Sequence, residues 1–128
     1  MIQKKVMKEN IVEEFNAYRE KMNEKMLDDN NKIIKRIFNL DTNAYMEGVL
    51  PKKTKELLGL GNSLVLRCDD CVRYHLEECF KLKITKEEVV EGMSISLLIG
   101  GTIVIPHLRR AFEYWEALEA QANNEAGN

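Results

Sequence analysis

The chain has little of several things. Among 128 residues there are two prolines, three cysteines, two histidines and one tryptophan. An odd count of three cysteines argues against a structural disulfide framework. The apolar stretches are too short to span a bilayer. Met1 to Asn10 is polar and charged after Met1 and lacks the apolar segment of a signal peptide, so a cytoplasmic location is expected. Net charge is −2 with acids and bases interspersed. A nucleic-acid partner would call for a clustered basic face, and none is visible. No internal repeat, low-complexity tract or convincing strand alternation occurs.

What is present is a globular composition, 45% hydrophobic and 31% charged, of a length that fits one domain over residues 1–128. The apolar spacing is helical. Ile11, Phe15, Tyr18, Met22 and Met26 recur on one helix face, interrupted at Asp28 to Asn31. Ile33, Ile34, Ile37 and Phe38 mark a second, short helix, and Gly48 closes the irregular stretch behind it. Pro51 suits the start of a third helix carrying Leu57 to Leu66. Gly59 and Gly61 weaken that helix by roughly 1 kcal/mol each relative to Ala, unless they mark close packing. Asp69 and Asp70 offer N-cap chemistry for a fourth helix over about Asp70 to Leu82. Thr85 with Glu88 is a capping-box signature for a fifth, which is apolar on several sides and is expected to be central. Gly100-Gly101 breaks it, and a last helix carries Pro106 in its first turns and runs to about Ala120. Thr102 to Ile105 is the best strand candidate, and Asn123 to Asn128 is expected to fray. The expected fold is all-α, a bundle of about six helices.

The chemistry concentrates in Cys68-Asp69-Asp70-Cys71-Val72-Arg73-Tyr74-His75. Two cysteines three apart at a helix N-terminus can meet in a disulfide with little backbone movement. The free N–H groups and positive dipole end there favour thiolate over thiol. His75 follows Cys71 by one helical turn on the same face, where it can accept a thiol proton or return one to a leaving oxygen. Other readings compete. Two cysteines can be small buried apolar residues. Zinc could be held by Cys68, Cys71 and His75 with His107 or Glu56, although no second Cys-x-x-Cys occurs. Cys79, beside Leu76 and Phe80, reads as a packed core residue. Met22, Met26 and Met93 read as core, His107 as a surface or capping histidine, and Lys52/Lys53 as a solvated face.

The segment from about Tyr45 to Leu118 resembles the carboxymuconolactone decarboxylase family in its alkylhydroperoxidase D-like branch. The branch pattern is a Glu, eleven residues, Cys-x-x-Cys, three residues and a His. Glu56, Cys68, Cys71 and His75 fit every interval. The resemblance implies an all-α, alkylhydroperoxidase D-like fold assembled as homo-trimers or homo-hexamers. It also implies reduction of peroxides with Cys71 as the attacking thiolate, Cys68 as the resolving thiol, and His75 and Glu56 as a proton relay. A carboxylate beside a histidine fixes its orientation, as in the catalytic triad. Without the resemblance Glu56 is one exposed glutamate among many.

This chain departs from the pattern at Asp70, where well-studied peroxidase members often carry His. Carboxylates beside the thiols oppose thiolate formation, so Asp70 is expected to modulate the site. The reading is a thiol-dependent peroxidase or disulfide reductase, with a hydroperoxide or disulfide substrate, a dithiol reductant, and no cofactor or metal. A non-enzymatic redox sensor and a decarboxylase-like enzyme of the same fold are the alternatives. The cysteine pair argues against lactone decarboxylation, which does not rely on it.

Overall fold

The structure, a computed structural model, describes the backbone of residues 2–127 and the side chains of residues 11–126. In chain order it contains α1 (Ile2–Asp28), α2 (Lys32–Ala44), α3 (Lys52–Val65), α4 (Asp69–Lys81), α5 (Lys86–Gly100), a 3-10 turn (Thr102–Val104) and α6 (Ile105–Gly127). No strand occurs among the described residues. No described helix is long and apolar enough to cross a membrane.

The helices start where local chemistry directs. Asn31 caps α2, its side-chain oxygen accepting from the N–H groups of Ile33 and Ile34 at 3.0 and 3.1 Å. The Thr85–Glu88 capping box forms in both directions. The Glu88 carboxyl is held below its ordinary range by the Thr85 backbone N–H, then by Lys53 at 3.0 Å. Lys52 and Lys53 are therefore paired residues and not a simply solvated face, since Lys52 lies 3.4 Å from Glu56.

α1 packs on α6, α6 on α4, α4 on α3 and α3 on α5. The core comes from Leu60 and Leu64 of α3, Val72, Leu76 and Cys79 of α4, Val89 and Met93 of α5, and Tyr114, Trp115 and Leu118 of α6. Each fully buried large apolar side chain contributes about 1.5–3 kcal/mol. α2 has no buried residue and receives none of this at full value. Cys79 is a core residue as expected. Burial, with the charges of Glu56 and Glu78, pushes its thiol up to about 12, leaving it protonated and inert.

Several expectations are corrected. α1 runs from Ile2 to Asp28 and takes in the polar segment before Ile11. Among the described side chains of α1 only Val12 is fully buried; Tyr18 and Met26 are exposed, so Met26 is not core. α5 is not central, because its Ile95, Leu98 and Ile99 face solvent. The strand candidate is a 3-10 turn running into α6. Gly101, at φ 83°, turns the chain, and the Val104 N–H closes on its carbonyl at 3.0 Å. Three residues confined between two helices have no edge to pair with. The tail stays helical through Gly127, and Asn128 lies outside the described residues.

Candidate thiol–disulfide site

The site begins at the corner between α3 and α4. Arg67 adopts a left-handed φ of 61°. Its N–H donates to the Leu64 carbonyl at 2.9 Å, and that of Cys68 donates to Ser63 at 3.1 Å. This paired closure is a Schellman motif, here built without glycine. It turns the chain so sharply that Cys68, and neither aspartate, is the N-cap of α4. The Cys68 sulfur accepts from the Cys71 N–H at 3.3 Å. Cys68 and Cys71 form a disulfide with Cα atoms 5.3 Å apart, inside the usual span. Cys71 is exposed and Cys68 half-buried.

One turn along α4, His75 lines the same cavity as Cys71, about 240 Å³ in volume, with Arg19, Asp41, Asp70 and Tyr74. His75 is 7% exposed and Glu56 is 0% exposed. The His75 Nδ1 lies 2.8 Å from Glu56 Oε1. Far from being one exposed glutamate among many, Glu56 is the most buried carboxylate in the core. A buried carboxylate persists only with partners. Glu56 has His75 on one oxygen and Lys52 on the other at 3.4 Å. An ionised carboxylate only accepts, so this contact places a proton on Nδ1 and leaves Nε2 to face its own partner. That partner is the Tyr45 hydroxyl, 3.3 Å away. Burial, then the charges of Asp41 and Glu56, raise the Tyr45 hydroxyl above its ordinary range, so it stays a neutral donor.

Gly59 explains how an imidazole fits between α3 and α4. A Cβ there would lie 2.6 Å from His75 Cε1 and 2.8 Å from Tyr45 Oη. The glycine marks close packing, of a side chain against a helix backbone.

The two aspartates between the cysteines differ. Asp70 is exposed and pairs with Arg73 at 3.1 Å, within its own helix. Asp69 reaches α6, where His107 Nδ1 and Arg110 Nε each lie 2.8 Å from its oxygens. His107 is thus a hydrogen-bonding partner of the turn between the two cysteines. No group of three or more His, Cys, Asp or Glu among the described residues is arranged to hold a metal ion. Sequence reasoning selected Cys68, Cys71, His75, Glu56 and Asp70, and the structure brings the first four together at the α3–α4 corner. It missed Tyr45, Lys52, Gly59 and the Asp69 cluster. The available signals were the Lys52–Glu56 spacing of four and the His107–Arg110 spacing of three.

The chain belongs to the carboxymuconolactone decarboxylase family, whose profile matches residues 32–114. Among solved structures, Thermotoga maritima TM1620 is 49% identical, covering 87% of this chain and 97% of that one, with a TM-score of 0.84. A second TM1620 structure, 47% identical over 88% of this chain and 95% of that one, has the same TM-score of 0.84. It is described as a family member with a possible part in antioxidative response. The family protein apo-lpg0406 of Legionella pneumophila is 25% identical over 91% of this chain and 96% of its own, with a TM-score of 0.61. An uncharacterized protein of Cupriavidus necator is 31% identical over 77 residues, which are 60% of this chain and 68% of that protein.

Proposed function

We propose that the protein is a thiol-dependent oxidoreductase that reduces hydroperoxides, or disulfides, through Cys68 and Cys71. The observation that carries this reading is the Cys68–Cys71 disulfide one helical turn from a histidine held by a buried glutamate. The antioxidative role suggested for TM1620 agrees with it. In the reduced protein, the Cys71 thiolate attacks the distal peroxide oxygen and the O–O bond breaks. His75 first takes the Cys71 thiol proton at Nε2 and then returns it to the other oxygen, which leaves as an alcohol. Cys71 is left as a sulfenic acid. Cys68 attacks that sulfur, expels water and closes the disulfide. An external dithiol then returns two electrons and two protons.

Glu56 orients His75, and Asp70 modulates the thiol from the exposed side, its charge shared with Arg73. The test is stopped-flow oxidation of the reduced protein by several hydroperoxides, with mass analysis of the Cys68–Cys71 peptide, in wild type and Glu56→Gln. Wild type should oxidise to the intramolecular disulfide, and Glu56→Gln should fold yet react about 10²-fold more slowly, as for loss of one acid–base contribution. Oxidation confined to Cys79, or activity surviving loss of both Cys68 and Cys71, would reject the reading.

A further inference from the structure

Asp69 stands in sequence between the two sulfurs, and both of its partners come from a different helix. His107 and Arg110 of α6 each approach it to 2.8 Å. The other charges on the first turns of α4, Asp70 and Arg73, pair with each other. Burial acts to raise the Asp69 carboxyl, but the hydrogen bond from His107 and the charge of Arg110 outweigh it and hold Asp69 below its ordinary range. An anion is therefore built permanently into the redox turn. Alone, it would disfavour the thiolate that reduction creates.

We propose that Asp69, clamped by His107 and Arg110, is a positioning residue that sets how readily the Cys68–Cys71 disulfide is reduced, with α6 supplying the countercharge. The inference rests on the thiol-redox reading above. It assigns α6 a part in the chemistry: it holds the α4 N-terminus and offsets the charge of the residue that stands between the two cysteines in sequence. Reduction adds two electrons to the disulfide from an external dithiol, which itself closes to a disulfide. The two protons that the dithiol gives up pass to the protein sulfurs, and a sulfur that then ionises returns its proton to solvent. Any charge near the turn shifts this equilibrium by its effect on the thiolate.

Charge compensation and mere mechanical support predict different outcomes. Arg110→Gln leaves the Asp69 anion uncompensated, so the disulfide should become harder to reduce. Asp69→Asn keeps size and an acceptor but removes the anion, so the disulfide should become easier to reduce. The experiment is equilibrium titration of the full chain with dithiothreitol at pH 8, with the pH midpoint of Cys71 alkylation as a second readout. Each single variant should move the equilibrium constant about three- to tenfold, tenfold being about 30 mV, in opposite directions. The double variant should return toward wild type, and Arg110→Lys, which keeps the charge, should stay near it. Both singles shifting the same way, or neither shifting by more than about twofold, overturns the proposal. If Arg110→Gln does not fold, Asp69→Asn decides alone: easier reduction supports the proposal, and unchanged or harder reduction overturns it. A wild-type disulfide that does not cycle with dithiothreitol at all overturns the redox reading and this inference together. One that cycles with an unmoved equilibrium overturns the inference alone.

Discussion

His75 is held on three sides: Glu56 at Nδ1, Tyr45 at Nε2, and the bare backbone of Gly59 beneath the ring. These contacts differ in how far sequence could reveal them. Cys68, Cys71 and His75 are local, within two turns of one helix, and helical spacing alone places them together. Glu56 lies 19 residues before His75, and only the family-like interval singled it out. Tyr45 lies 30 residues away and the Asp69–His107 pair spans 38, distances at which no local pattern exists. Gly59 was legible as a weak point of a helix, but its purpose depends on what packs there. Gly59→Ala tests that purpose. The added methyl must displace the imidazole or the phenol, an overpacking change of about 1–3 kcal/mol. We expect a lower melting temperature and at least a tenfold slower Cys71 oxidation by peroxide. Unchanged oxidation kinetics would show that His75 placement does not govern the thiol.

At the scale of helices and turns, starts were more legible than stops. The Thr85–Glu88 box is written in side-chain chemistry and forms as read. The stops after α3 and α4 are Schellman closures on Arg67 and Lys83, at φ 61° and 63°. Neither carries the glycine that usually signals such a turn. Missing that signal also shifted the reading of α4 by one residue, because a sharper stop brings Cys68 itself into the N-cap position. A non-glycine residue in this conformation costs roughly 1–2 kcal/mol, against a chain-entropy cost for glycine of about 0.5–1 kcal/mol. Lys83→Gly should therefore stabilise the fold by up to about 1 kcal/mol. The check is the urea midpoint, which should rise with an unchanged denaturant slope. A fall in the midpoint would mean that Lys83 makes contributions outweighing its backbone strain.

Across the whole molecule, the order of helices and the all-α class were legible because 3.6-residue periodicity persists between clear breaks. The position of α5 was not. A helix apolar on several sides reads the same whether it is central in one chain or turned toward a second chain. Here Ile95, Leu98, Ile99 and Ile103 are exposed on and beside α5, and Ile33, Ile37 and Leu40 on α2. Exposed large apolar side chains clustered on one helix in this way mark an association face. We infer that further copies of this chain cover it, in keeping with the trimers or hexamers that the family resemblance implies. Light scattering at micromolar concentration should give a mass at least three times the 14.8 kDa chain. Leu98→Glu should lower it, since burying an unpaired charge opposes assembly. A wild-type monomer would contradict the inference.

The order in which the two sulfurs act, Cys71 attacking and Cys68 resolving, is the core of the proposed cycle. It is tested most directly by exposing reduced Cys68→Ser and Cys71→Ser to one equivalent of hydroperoxide with a sulfenic-acid trap, followed by peptide mass analysis. Cys68→Ser should react once and carry the trapped adduct on Cys71, and Cys71→Ser should remain unreacted at both Cys68 and Cys79. An adduct on Cys68 in the Cys71→Ser protein, with none on Cys71 in Cys68→Ser, would reverse the two roles and contradict the proposed cycle.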